Sequence, residues 1–299
     1  MFLFYSIKTS ITLFAIKNHI STCLTFLIFA KIRAHTMKKI IGSIMLLGAF
    51  LASESALAWG LTGHRVVSQI AEQHISKKTR KEITKIIGPQ KLAYWANWPD
   101  FIKSDTTWKH ADSYHYVNIP GNLNRQQFDV ALEQTSDENM YKKGLFLINE
   151  LKNNQNLTIE EKQHNLYFLI HILGDAHQPL HVGRPDDLGG NRIKVEWFRD
   201  KVNIHTVWDS KLVDYENYSY TEYSNLLDIA SKERQIQMKE GTYADWIYGS
   251  YILANNIYAG VKMDDKLGYR YHFDNKFIIE DQLLKGGIRL AKVLDDIFK

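Results

Sequence analysis

The chain reads as a mainly α protein: a single compact multi-helix domain with a minor β hairpin. Three observations point there. Apolar residues recur at three- and four-residue spacing through most of the sequence, the spacing that lines one face of a helix. Proline, which interrupts such runs, occurs only five times in 299 residues. Strict apolar–polar alternation is confined to one short window near residue 195, with no internal repeat and no low-complexity tract.

Taken in order, the first helix is expected to open at Thr62 as N-cap, carry Val66, Val67, Ile70 and Ala71 on its inner face, and close at Ile75. A second runs from Asp137 to Leu151, ahead of the polar linker Asn153 to Asn156. Thr158 and Glu161 have the spacing of a capping box, opening a long helix through Leu166, Leu169, Ile170 and Leu173. That helix must stop before Pro179, because proline disfavours helical geometry in the residue ahead of it. After Gly189-Gly190, the alternation of Ile193, Val195 and Trp197 with Lys194 and Glu196 predicts a strand, and Arg199-Asp200-Lys201 the turn of a hairpin. Helical spacing returns over Leu226 to Met238, Ala244 to Tyr258 and Ile278 to Phe298.

The beginning of the chain is expected to be removed. Met37 is followed by Lys38 and Lys39, an apolar run from Ile40 to Leu51, and Ala56-Leu57-Ala58, which is the layout of a secretory signal peptide over 37–58 with cleavage before Trp59. The apolar run is shorter than the roughly 20 residues a spanning helix needs. Residues 1–36, whose apolar stretch Ile20 to Ile32 has a membrane anchor as its other reading, are read as an upstream extension because Met37 opens a complete leader by itself. Residues 59–299 are read as the functional domain, a monomer with no stable membrane association after cleavage, in the periplasm or secreted. The formal charge of +4 then misleads, since residues 1–58 hold six Lys/Arg against Glu54 and the remainder is near −1. Phosphate recognition must therefore come from local charge or metal, not from a generally basic surface. The only cysteine, Cys23, also precedes the cleavage point, so the domain has no disulfide to stabilise it.

Ten of twelve histidines follow Ala58, and several stand in patterned company. His171, Asp175 and His181 share the stretch HILGDAHQPLH, in which positions 171 and 175 lie on one helical face and Pro179 turns the chain toward His181. His205 and Asp209 in HTVWD repeat the His-x-x-x-Asp spacing. Asp100 in NWPDFIK, His115 in YHYVNIP, and His64 five residues after Trp59 complete the set. Imidazole and carboxylate are the ligands zinc takes where thiolates are lacking. Each pair alone is more often an ordinary solvated helix pair, and together they point to a metal site without naming the chemistry.

The order of motifs goes further. WGLTGH, WPD, HYVNIP, HxxGDxHQPLH, GGN and HTVWD in succession resemble the zinc-dependent single-strand nucleases of the S1/P1 type, within the phospholipase C/nuclease superfamily. The resemblance runs from Trp59 to at least Asp209. It implies a helical fold holding three zinc ions: one on Asp100, His115, His171 and Asp175, one on His181, His205 and Asp209, and one on the amine and carbonyl of Trp59 with His64 and a second oxygen of Asp175. It implies hydrolysis of single-stranded DNA and RNA by metal-activated water to 5′-phosphate products, with 3′-nucleotidase activity. A free α-amine titrates near pH 8, so metal displaces its proton readily and cleavage before Trp59 would double as activation.

Lys103, one helical turn after Asp100, matches a cation used near the phosphate, and with Asp100 and Asp175 makes the catalytic set; a plain surface lysine is the bland alternative. Tyr116, Asn118 and Asn191 are the expected substrate contacts. Asn118 stands where some fungal relatives have an aspartate, so base preference does not transfer, and GGN is equally a plain turn. His177 is expected outside the metal shell, while His74, His110, His164 and His272 have no assigned partner. A phospholipase C of the same superfamily is a rival reading, although it sets its first His farther from the Trp and closes its last motif with Glu where this chain has Asp209. A non-catalytic zinc-binding protein is the other.

Overall fold

The computed structural model describes residues 59–299; the expected leader, the upstream extension and Cys23 lie outside the described residues. The longer helices are α1 (Leu61–His74), α2 (Lys77–Ile87), α3 (Arg125–Glu133), α4 (Met140–Asn153), α5 (Ile159–Asp175), α6 (Tyr220–Leu227), α7 (Lys232–Met238), α8 (Tyr243–Gly260) and α9 (Tyr269–Phe298). Strands β1 (Lys194–Trp197), β2 (Asp200–Asn203) and β3 (Lys266–Leu267) form one small sheet in the order β2-β1-β3. The mainly α expectation with its hairpin holds. None of the helices among the described residues is long and apolar enough to cross a membrane.

The interior is organised around α5. The Thr158–Glu161 capping box forms as expected, and from Leu166 to Asp175 every residue is buried, the pattern of a helix enclosed on all sides. It ends at Ala176, and Gln178 is extended ahead of Pro179 (φ −88°, ψ 114°). α1 buries Val66, Val67, Ile70 and Ala71 against the long α9, where Gly286 and Gly287 permit the close approach: a Cβ at Gly287 would lie 2.5 Å from the Ile70 side chain.

Several boundaries depart from expectation for identifiable reasons. α1 starts at Leu61 and not after Thr62. No side chain caps it; the Gly60 N–H donates to the Asp209 carbonyl (2.6 Å), so docking on a distant segment sets its start. α4 starts later than Asp137, because Asn139 is the side chain that caps it, accepting from the Tyr141 and Lys142 N–H groups. The helix expected over Leu226–Met238 is two, α6 and α7. His74 holds the Asp228 carboxylate at 2.8 Å where α6 ends, and Ser231 caps α7. In the hairpin Trp197 pairs with Asp200, so the turn is Phe198-Arg199, with Phe198 at φ 55°, and Asp200-Lys201 belong to β2. The strand β3, parallel to β1, was not foreseen; nor were α2 and α3.

Candidate metal centre

The sequence motifs converge at the C-terminal end of α5. His171 donates from Nδ1 to the Ala96 carbonyl (2.7 Å), which turns its Nε2 inward, 3.2 Å from Asp175 Oδ2 and 2.8 Å from His115 Nδ1. Ala96 lies two residues ahead of the short helix Trp98–Phe101 that carries Asp100, and His115 closes the 3-10 stretch Thr106–His115. His64 comes in from α1 with Nε2 3.2 Å from Asp175 Oδ1 and its ring stacked on His171 at 3.7 Å. A residue larger than glycine at 174 would displace the His64 ring, since its Cβ would be 2.8 Å from His64 Nδ1.

Beside this lies a second group. His181, in the turn Pro179–Val182, donates from Nδ1 to the His115 carbonyl (2.6 Å) and points Nε2 at Asp209 Oδ1 (3.3 Å). His205 donates from Nδ1 to the Gly189 carbonyl (2.6 Å) and places Nε2 3.1 Å from Asp209 Oδ2. Asp209 sits in a π-helical turn, Val207–Lys211, a local widening that recurs at functional sites. Asp175 Oδ1 is also 3.4 Å from His181 Nδ1, the nitrogen bonded to the His115 carbonyl, so this carboxylate borders both groups.

Three sets of side chains thus have ligand atoms within 4.8 Å of one another: His64, His171 and Asp175; Asp100, His115 and His171; and His181, His205 and Asp209. All of these residues are buried. Both nitrogens of His64, Nε2 of His181, both oxygens of Asp175 and one oxygen each of Asp100 and Asp209 have no hydrogen-bond partner. Buried polar atoms left unpaired cost about 1–3 kcal/mol each. So many, aimed at common points, fit divalent ions of the class that binds nitrogen and oxygen donors.

The electrostatics agree. Burial alone would neutralise Asp209, yet His205 and His181 hold its carboxyl down at about 2. Burial likewise disfavours charge on His181, but Asp175 and Asp209 raise its imidazole to about 9. Burial drives His115 the other way, down to about 4. Asp175 lies well below the ordinary carboxyl range: burial opposes its charge, and the imidazoles of His171, His181 and His64 outweigh it.

The centre opens into a cleft of about 230 Å³ lined by Lys103, Asp112, Tyr116, Asn118, Leu188 and Asn191, together with His115, His181 and His205. Lys103 pairs with Asp100 Oδ1 at 2.7 Å and stays partly exposed. Tyr116 is 42% exposed and lines the cleft. Asn191 bonds the Leu188 carbonyl (2.9 Å), so it belongs to the cleft wall as well as to a turn. Trp59 is fully buried, its indole N–H donating to the Gly174 carbonyl at 2.7 Å.

His177 stays outside, donating to the Leu173 carbonyl (2.8 Å) and accepting from Arg289 (3.0 Å). His74 and His272 pair with Asp228 and Glu216, and His164 stacks on Trp98. Sequence reasoning missed Gln178, whose buried amide donates to Asp209 Oδ1 and accepts from the Leu180 N–H. Its place between two motif histidines was the available signal. Asp112, in the cleft wall, had no signal at all.

The family model described as S1/P1 Nuclease matches residues 59–299. Endonuclease 5 of Arabidopsis thaliana is 30% identical over 273 residues, covering 81% of this chain and 91% of that protein. Nuclease S1 of Aspergillus oryzae is 26% identical over 79% of the chain and 91% of its own length, and Nuclease P1 of Penicillium citrinum 25% over 80% and 97%. With the match beginning at Trp59 and covering every residue of the buried His/Asp cluster, the chain belongs to the S1/P1 nuclease family.

Proposed function

We propose that the protein is an exported trinuclear-zinc phosphodiesterase that hydrolyses single-stranded DNA and RNA to 5′-phosphate products and also acts as a 3′-nucleotidase. The observation that carries this reading is Asp175, a buried carboxylate with both oxygens free of hydrogen bonds and with His64, His115, His171 and His181 each within 3.4 Å. Asp100, His115, His171 and Asp175 would hold one zinc, and His181, His205 and Asp209 a second. His64 and Asp175 would hold a third with the amine and carbonyl of Trp59, freed by cleavage after Ala58. The indole of Trp59 bonds the carbonyl next to Asp175, and Gly60 bonds Asp209, which supports main-chain ligation at that point. Export would leave the enzyme in the periplasm or outside the cell.

Bound zinc supplies Lewis acidity, neutralising phosphodiester oxygens and lowering the pKa of water. The protein's own part is orientation. The carbonyls of Ala96, Gly189 and His115 each take an imidazole N–H, which fixes the tautomer and presents the second nitrogen to the centre. Gln178 holds one oxygen of Asp209 and leaves the other free. Lys103, at the edge of the cleft, stabilises charge that builds on the phosphate. Tyr116 offers a stacking face that free bases reach and paired bases do not, with the Asn118 and Asn191 amides beside it.

The test is hydrolysis by purified protein whose N-terminus has been sequenced and zinc counted. Expected are a start at Trp59, three zincs, cleavage of a single-stranded oligonucleotide well ahead of a duplex, and 5′-phosphate ends. Hydrolysis of the phosphodiester of phosphatidylcholine in place of nucleic acid would transfer the reading to a zinc-dependent phospholipase C. Stoichiometric zinc with no phosphodiester cleaved would make it a binding protein. A form with extra residues ahead of Trp59 that matches the mature protein in zinc and rate would refute the terminal ligand.

A further inference from the structure

The wall of the cleft that supports His205 is held by a contact from outside the centre. Residues 188–190 wind through the left-handed region, Leu188 at φ 56°, Gly189 at 66° and Gly190 at 86°, and for leucine this conformation is strained. Gly189 and Gly190 are buried, but Pro185, Asp186 and Leu188 are exposed, so side-chain packing holds the outer part of the loop little and polar contacts tie it down. The Asp187 carboxylate Oδ1 accepts from the Gly190 N–H (2.6 Å) and from the Tyr258 hydroxyl (2.9 Å), and the same hydroxyl accepts from the Arg184 N–H (3.1 Å). Tyr258 stands near the end of α8, and the Arg184 guanidinium lies 4.2 Å over its ring. One phenol oxygen therefore ties both sides of the loop to a helix.

The consequence reaches the centre through the Gly189 carbonyl, which accepts from His205 Nδ1 at 2.6 Å. That bond decides which ring nitrogen carries the proton and where Nε2 points. The fit is close all round: a Cβ at Gly189 would lie 2.6 Å from the Leu180 carbonyl, and one at Gly183 would lie 2.9 Å from the Tyr258 hydroxyl. Leu188 and Asn191, on the same loop, line the cleft.

We propose that the Tyr258–Asp187 hydrogen bond is a latch that positions His205 for metal and fixes the Leu188–Asn191 wall for substrate, making Tyr258 and Asp187 positioning residues that touch neither. The proposal rests on the zinc nuclease reading given above. It predicts that Tyr258→Phe, which keeps the ring under Arg184 but removes the hydroxyl, weakens one zinc of the set by about tenfold, the usual scale for loss of a group that orients a ligand. The remaining zincs keep their affinity, and KM for a single-stranded dinucleotide rises.

The measurement is competition for zinc against a chromophoric chelator, with the absorption spectrum of the cobalt(II)-loaded protein as the second readout. Asp187→Ala should behave as Tyr258→Phe does, whereas Asp187→Asn, which keeps an oxygen acceptor, should recover most of the affinity. Tyr251→Phe is the control: its hydroxyl, also on α8, bonds the Pro120 carbonyl (2.7 Å) and the Leu123 N–H (2.8 Å) in a different loop. Zinc affinity and cobalt spectrum unchanged in both Tyr258→Phe and Asp187→Ala would overturn the latch. An equal loss in Tyr251→Phe would also overturn it, by showing general loosening of α8. If the unaltered protein binds zinc without cleaving nucleic acid, it is the functional reading that fails, and the latch is still decided by the affinities.

Discussion

Lys103 is the cation that the cleft sets beside the buried carboxylates, 2.7 Å from Asp100 and lining the same wall as Tyr116 and Asn118. If it stabilises charge that develops during the reaction, Lys103→Met should lower kcat by about a hundredfold, the scale for losing one preorganised electrostatic partner, with zinc content and KM little changed. Single-turnover and steady-state rates on a single-stranded oligonucleotide test this, and a change under threefold would return Lys103 to the status of a surface lysine. The placement of the His/Asp set was legible because helical spacing pairs His171 with Asp175 and because motif order carried the rest. Gln178 was not legible in the same way. Its place between motif histidines marks it, but an amide acquires its role only when Asp209, 31 residues away, folds against it. His205 depends similarly on a glycine carbonyl, an atom every residue has.

Among the elements, the pairing of α1 with α9 has most leverage on the site, because α1 carries both His64 and the turn that follows Trp59. At Gly287 helix propensity and packing oppose each other: alanine is favoured over glycine in a helix by about 1 kcal/mol, but its Cβ would stand 2.5 Å from the Ile70 side chain and 3.0 Å from the Val67 carbonyl. Overpacking of this kind costs about 1–3 kcal/mol, so packing should win. Gly287→Ala is expected to lower the urea midpoint of unfolding and, by displacing α1, to weaken zinc at His64; a midpoint equal to or above that of the unaltered chain would refute it. Sequence periodicity found α5, α8 and most of α9 because their apolar faces are long. It missed where α1 starts, and it fused α6 with α7, since both boundaries are set by partners remote in sequence, Asp209 for Gly60 and His74 for Asp228. The shift of the hairpin turn has a more local cause: Phe198 adopts a left-handed backbone that side chains like its own seldom take.

On the scale of the molecule, the candidate ligands run from Trp59 to Asp209 and come from α1, the Trp98–Phe101 turn, the end of the 3-10 stretch, α5, the Pro179–Val182 turn and the segment after β2. Without metal, that junction is a buried set of carboxylates and imidazoles with unpaired atoms, in a chain whose one cysteine allows no internal disulfide. On the zinc reading proposed above, ions that bind only the folded form would contribute to stability as well as to catalysis. At free zinc about a thousand times the dissociation constant, each tightly held site adds about 4 kcal/mol, and for a domain of this size about 2–4 °C accompanies each kcal/mol. Stripping the protein with a chelator should then lower Tm by at least about 10 °C and abolish nuclease activity, with zinc restoring both. Calcium or magnesium should restore neither, because imidazole-rich sites disfavour hard, oxygen-seeking cations. Differential scanning calorimetry of the stripped and reloaded protein decides it: a Tm indifferent to chelation would mean that the cluster is stable as a hydrogen-bonded ion network, and the metal reading of the buried His/Asp set would fall with it.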